Sequence, residues 1–350
     1  MLKLNYTNYL KTKDFDIEKE YKKIFTSSFQ ITFTTKQKGK SKKVPLKKVR
    51  EDFKNNKKEI FDDKKNKSLQ EIFDKFKEKK INEFDVIFEN KDLSDILIIS
   101  QDEIIKILKK NKNKSSLSKL KYVFNYDKFQ SDITKFFTDN FDFRTCFYCN
   151  KDFITNFDAD KKVSTFQLDH FFDKANYPYL ALSFYNLIPS CYVCNAKVKL
   201  SENTFEHNPK SKLRKFSNKT CIAPNDEKFD FHQKVKFKLF LEQSCKNLHI
   251  ESKDDIDITL KEQFTDKYDK YIEIFKLNER YKAHKDIVFD MIEKAELYPE
   301  SRLKELQDLT GIPFQQIKKD IFNLIDENED LSKQPFSKLI VDMSKELGIL

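Results

Sequence analysis

The 350-residue chain carries 67 Lys/Arg against 57 Asp/Glu, a net charge of +10, with 35 Phe, no Trp and only three glycines. No glycine lies between Gly39 and Gly311. This excludes a G-x-x-x-x-G-K-[ST] phosphate loop and a G-x-G-x-x-G dinucleotide turn, and with them the usual nucleotide-driven motors and hydride-transfer enzymes. Residues 251–350 hold 16 Lys/Arg against 23 Asp/Glu, so residues 1–250 carry 51 against 34, a basic part followed by an acidic one.

In chain order, residues 1–35 read as short mixed segments with a β-like run at Phe29–Phe33. Lys36–Arg50 has eight basic residues and no acid and reads as an exposed basic loop. Helical spacing marks 46–82 and 101–140, with a break at 81–100. A second basic stretch, Ile104–Tyr126, has seven Lys and no acid. Only five basic residues of the chain are Arg, so it is better equipped for phosphate contact than for reading bases. Residues 228–260 alternate in part, as in Val235–Leu239, and predict strands. Residues 264–298 have helical spacing, and Gly311-Ile312-Pro313 punctuates the last helical stretch. The expected organisation is a mixed, basic region over 1–140, a compact finger over 141–205, a β-rich segment over 206–262 and an acidic helical region over 263–350. No apolar run reaches the ~18–20 residues of a membrane helix. The N-terminus lacks a cleavable secretory pattern, so the cytoplasm is the expected location.

Cys146-Phe147-Tyr148-Cys149 and Cys191-Tyr192-Val193-Cys194 are two C-x2-C pairs with 41 residues between them. Each pair sets two thiolates on one tight turn, and two turns complete a tetrahedral S4 shell for a structural zinc ion. Cys221 and Cys245 have no ligand spacing and read as small hydrophobes. Between the pairs, Phe153-Ile154-Thr155, a polar turn at 156–162 and Thr165–His170 predict a hairpin ending in an acid and a histidine. A loop with Pro178 and the run Phe184–Ser190 follow, and the second pair opens a helix-like run, Cys191–Leu200, carrying Asn195.

The residues CFYC, LDH, FYNLIPSC and YVCNAK, in that order, resemble the four-cysteine HNH, or His-Me finger, nucleases. The wider run from Leu168 to Asn195 is similar to the nuclease subunit of Septu-type phage-defence systems, with a looser likeness at Lys276–Lys285. The resemblance implies an α+β fold, mostly helical, around a zinc-stapled ββα-metal finger with a short β segment after it. It also implies a metal-dependent endonuclease acting on DNA, with a partner ATPase that gates it. His170, an imidazole, would be the general base. Asp169 and Asn195 would hold Mg²⁺ or Mn²⁺ through hard oxygens. Asn186 matches the middle motif residue and would pin the loop that orients the histidine. Lys174 and Lys197 flank these positions as phosphate contacts. Asp173 departs from the family, which often has proline before that lysine. Two other readings stand beside this one: a zinc-stapled nucleic-acid-binding module that does not cut, and a toxin-like effector that cuts RNA. His207, His232, His249 and His284 lie outside the finger and read as structural or exposed.

Overall fold

The computed structural model describes residues 1–26, 34–37, 40–43, 69–78, 91–110, 120–121, 123–160, 162–200, 202–206, 216, 218–242 and 250–350. The β-like run at 29–33, most of the basic loop at 36–50, residues 111–119 of the second basic stretch, His207, Cys245 and His249 lie outside them. Among the described residues, helices combine with antiparallel strand pairs, an α+β arrangement. The pairs are β1 (Thr34–Gln37) with β2 (Lys40–Lys43), β3 (Asn156–Asp158) with β4 (Lys162–Ser164), β5 (Gln167–His170) with β6 (Leu187–Ser190), and β7 (Val235–Leu241) with β8 (Ile256–Glu262).

The helix Tyr126–Asn140 forms because its apolar residues recur at helical spacing. Tyr126, Phe129, Ile133, Phe136 and Phe137 are buried on one face, while the other face keeps Asp, Gln, Ser and Lys in solvent. Its buried face meets a core assembled largely from aromatic rings, as a chain with many Phe and no Trp requires. Phe137 stacks on Phe184 at 5.2 Å, Phe141 on Phe143 at 5.3 Å, and Tyr6 lies 4.6 Å from Phe184. The N-terminal segment is sewn into this core by Tyr21, whose hydroxyl donates to the Leu182 carbonyl at 2.9 Å.

Two expectations change on contact with the structure. The strand carrying His170 does not pair with the chain leaving the first cysteine pair. Asn156–Asp158 folds back on Lys162–Ser164 as a separate small hairpin, and β5 instead pairs with β6 in the register Asp169↔Ile188 and His170↔Leu187. The reason is burial: Leu187-Ile188-Pro189-Ser190 is wholly buried, so its backbone groups need a strand partner, and β5 supplies it. The predicted helical stretch over 264–298 is broken into Asp269–Ile274, Leu277–Lys282 and Lys285–Leu297, with Lys276 in the left-handed region at φ 48° between the first two. Gly311 ends the helix Glu300–Thr310 at φ 72°, and Pro313 precedes the helix Phe314–Phe322. The strand expected at Val235–Leu239 is β7.

The C-terminal helix Ser337–Glu346 closes the fold over β7 and over the first cysteine pair. Asp342 accepts from the Phe237 backbone N–H at 3.0 Å, and buried Lys338 donates to the Val235 carbonyl at 2.6 Å and to Asp342 at 2.7 Å. Asn150, directly after Cys149, is in the left-handed region at φ 53°, a conformation asparagine tolerates. Its side-chain oxygen accepts from Ser337 Oγ at 2.9 Å and from the Lys338 backbone N–H at 3.0 Å. The cysteine turn and the chain's last helix are thereby one hydrogen-bonded unit.

Candidate metal centre and adjoining cleft

Cys146, Cys149, Cys191 and Cys194 are all buried, and their Sγ atoms lie within 4.8 Å of one another. The Cys149 and Cys191 sulfurs are 3.9 Å apart. A regular tetrahedron with Zn–S of about 2.3 Å has S–S edges of about 3.8 Å, so the sulfur cage has the dimensions of a zinc-type shell. Local chain geometry builds it. The Asn150 N–H turns back to the Cys146 carbonyl at 2.7 Å, while Cys191 N–H donates to Cys146 Sγ at 3.3 Å and Cys194 N–H to Cys191 Sγ at 3.4 Å. N–H donors aimed at sulfur favour thiolate, the form that ligates a metal.

A cation stands against this cage from a distant part of the chain. Arg280 Nη1 lies 3.1 Å from Cys194 Sγ, and Nη2 lies 3.4 Å from Asp152, whose other neighbour is Cys149 Sγ at 3.6 Å. Burial pushes the Cys149 thiol up, but the surrounding Cys146, Cys191 and Cys194 thiols and the Arg280 guanidinium outweigh it and hold the group well below its ordinary value. Burial lowers Arg280, and the cysteines raise it by more, so the guanidinium stays charged.

Next to the cage, β5, the helix Tyr126–Asn140 and the chain after Cys194 enclose a cleft of about 420 Å³ whose lining includes Asp169, His170, Lys174 and Asn195. Those four residues, singled out from sequence, thus come together. Asn186 stands behind them, fully buried. Its carbonyl accepts from the Phe172 N–H at 2.8 Å, and its NH₂ donates to the carbonyls of Phe172 and Leu180, both at 3.1 Å. It therefore ties together the loop that follows His170. Lys197 is not among the lining residues; it is exposed, with its ammonium 5.5 Å from the Tyr192 ring. Lys174 lies 4.6 Å from the Tyr126 ring centroid and pairs with Asp127 at 3.2 Å. Asp173, the departure from the family pattern, accepts from Asn176 Nδ2 at 2.8 Å and shapes its own turn.

His170 is 8% exposed, with Nε2 3.0 Å from the Ala181 carbonyl oxygen and Tyr126 edge-on at 4.5 Å between ring centroids. A carbonyl only accepts, so Nε2 carries the hydrogen and Nδ1 holds the lone pair. Burial, then the Lys174 charge, lowers the ring to about 3, against the weaker opposing effect of Ala181. The imidazole is accordingly neutral at pH 7. Asp169, at 3% exposure, accepts from the Tyr148 hydroxyl at 2.6 Å and from Lys199 Nζ at 3.0 Å. Lys199 also donates to the His170 carbonyl at 2.7 Å. Burial and then the Asp169 carboxylate raise Tyr148 well above its ordinary value, which keeps its hydroxyl protonated as a donor. Asn195 uses its NH₂ on Gln167 Oε1 at 2.9 Å, so its carbonyl oxygen is the atom that contact leaves for a ligand.

The predicted helix after the second cysteine pair is a π-helix, Val193–Lys199, with the Leu200 N–H donating to the backbone carbonyl of Asn195 at 3.1 Å. The wider turn brings Lys199 inward to Asp169. Sequence reasoning passed over Lys199, Tyr126, Tyr148 and Arg280. The signal for Lys199 was its place four residues after Asn195, one turn along the same face. For Tyr148 it was its position inside the first C-x2-C pair.

No protein-family description matches the chain, no curated protein matches it, and no solved structure matches it. No helix among the described residues is long and apolar enough to cross a membrane.

Proposed function

We propose that the chain is an HNH-type endonuclease that hydrolyses phosphodiester bonds in DNA, with RNA as the second substrate class. The observation that carries this reading is the convergence of Asp169, His170 and Asn195 on one cleft beside the sulfur cage. The β5–β6 pair followed by the Val193–Lys199 helix has the ββα order of such a finger, and the cage sits where zinc would staple the helix to the start of the finger. A unit of about 60 residues buries only about 60% of the surface its unfolded chain exposes, and a metal staple adds to the rigidity of so small a core.

In this reading His170 Nδ1 accepts the proton of the attacking water, because Nε2 is committed to Ala181 and the neutral ring offers only one lone pair. The ring's depressed basicity comes chiefly from burial. A phosphate anion entering the cleft would stabilise the imidazolium and move the ring back towards its ordinary value. Asn186 fixes the backbone that carries the imidazole and does no chemistry. The donor types of Asp169 and Asn195 fit a hard ion such as Mg²⁺ or Mn²⁺. When bound there, the ion would supply charge neutralisation at the scissile phosphate and the leaving oxygen. Lys174 stands at the cleft mouth as a phosphate contact once released from Asp127; Lys197, outside the lining, would touch the substrate further from the scissile bond. The same resemblance supplies a partner ATPase as the source of nucleotide control, since the chain has no phosphate loop of its own.

A binding module that holds nucleic acid without cutting is the second reading, favoured by the burial of the His170 ring. Plasmid nicking with Mg²⁺ or Mn²⁺ separates the two. Wild type nicks and His170→Ala does not if the proposal is right; salt-sensitive binding without any nicking selects the module.

A further inference from the structure

We infer that Lys199 and a divalent ion are rivals for the Asp169 carboxylate, so that this buried lysine governs how strongly the cleft takes up a metal. The inference rests on the proposed function only in placing the ion at Asp169. Both carboxylate oxygens are already engaged, Oδ2 by the Tyr148 hydroxyl at 2.6 Å and Oδ1 by Lys199 Nζ at 3.0 Å. The two side chains of the ion pair are 1% and 3% exposed. Lys199 is not a surface lysine free to swing away: a second bond, to the His170 carbonyl at 2.7 Å, anchors its ammonium between the two residues of the acid–histidine pair. The contrast is Lys174, whose pairing with Asp127 involves side chains 42% and 77% exposed.

A buried carboxylate needs a compensating charge, and here the ammonium provides it. An ion ligated to Oδ1 at about 2.1 Å would sit within a few ångströms of that ammonium, where like charges repel strongly at low dielectric. Uptake of the ion at Asp169 therefore requires Lys199 to leave the carboxylate. The lysine thus acts as a built-in cation that holds Asp169 and its β5 neighbours in place until a metal takes over. It is a positioning residue, acting through Asp169.

The test is Mn²⁺ binding to the zinc-loaded full-length chain without nucleic acid, read from the loss of the free-ion electron paramagnetic resonance signal. Lys199→Met removes the charge, Lys199→Gln removes it while keeping a donor for the His170 carbonyl, and Lys199→Arg keeps it. The Met and Gln variants should each bind one Mn²⁺ about tenfold more tightly than wild type. The Arg variant should stay close to wild type, and adding Asp169→Asn to Lys199→Met should abolish the gain. Should the Met variant fail to fold by circular dichroism, the Gln variant decides. Unchanged or weaker Mn²⁺ binding in the neutral variants overturns the inference, as does a gain that survives Asp169→Asn. A tightened site in a chain that cleaves no nucleic acid leaves the inference standing and removes the hydrolase reading.

Discussion

Replacing Cys191 by serine tests the sulfur cage at its junction with the helix. Serine keeps the size of the side chain but removes one of four buried sulfurs. Cys149 and Cys191 bracket 41 residues of chain. Holding the ends of a loop of that length together restricts the unfolded chain by roughly 4 kcal/mol at 25 °C in chain-entropy terms. At about 2.1 cal/mol/K per residue, a chain of this length unfolds with an entropy of roughly 0.7 kcal/mol/K, so losing the staple lowers Tm by at least about 5 °C. The upper bound is larger, because structural zinc contributes roughly 10–16 kcal/mol in isolated fingers. Zinc content by elemental mass spectrometry and thermal unfolding by circular dichroism are the two readouts. The expected results are one zinc per wild-type chain, much less than one in Cys191→Ser, and a lowered Tm reproduced in wild type by a strong chelator. A wild-type chain that unfolds at the same temperature with and without chelator, and carries no zinc, refutes the staple.

Three further outcomes follow from other contacts. Arg280→Met removes the cation 3.1 Å from Cys194 Sγ and should weaken zinc retention about 10–100-fold in competition with a chromogenic chelator, with Arg280→Lys intermediate. Asn186→Ala leaves the buried Phe172 N–H and carbonyl without partners, while the Leu180 carbonyl keeps the Ser183 N–H, and should cost about 2–3 kcal/mol in chemical denaturation, with a fall in any cleavage activity. His232, lowered to about 4 chiefly by burial and then by Lys338 and Lys236, has its Nδ1 buried without a partner. Its folded value lies below its ordinary 6.5, so the unfolded chain binds the proton first. Its contribution to stability is therefore complete above pH 6.5 and is lost as pH falls from there to about 4. At pH 5 the difference is roughly 2 kcal/mol, and His232→Phe should flatten that part of the stability–pH curve.

The parts of the site legible from sequence were those whose chemistry is written in local spacing. Two C-x2-C pairs announce a sulfur cage because each turn places its own two ligands, and Asp169-His170 and Asn195 keep fixed offsets from those turns. Asn186 was singled out by the resemblance alone, as the match to the middle motif residue. Pairing between strands was not legible, because β5 had two candidate partners and the choice depended on which segment was buried. The run Leu187–Ser190 is wholly buried, whereas Phe153 stands largely in solvent, so the buried run takes the partner. Lys199 was hidden because a lysine on a helix reads as a solvated charge, and only the fold shows its ammonium buried against Asp169. Arg280 was hidden by distance along the chain, and its contact with Cys194 exists only because the short helices after β8 return to the cysteine turns. The broken helices over 264–298 show the limit of periodicity, which reports a buried face without reporting that Lys276 turns left-handed within it.

Single-turnover cleavage of a labelled duplex by zinc-loaded chain with Mg²⁺ or Mn²⁺ bears most directly on the proposed function. Wild type should cut, and His170→Ala, folded and zinc-loaded to the same degree, should be slower by at least about 10²-fold, the scale of a lost general base. Equal rates for the two chains, or no cutting of DNA or RNA by wild type under any divalent ion, would contradict the account.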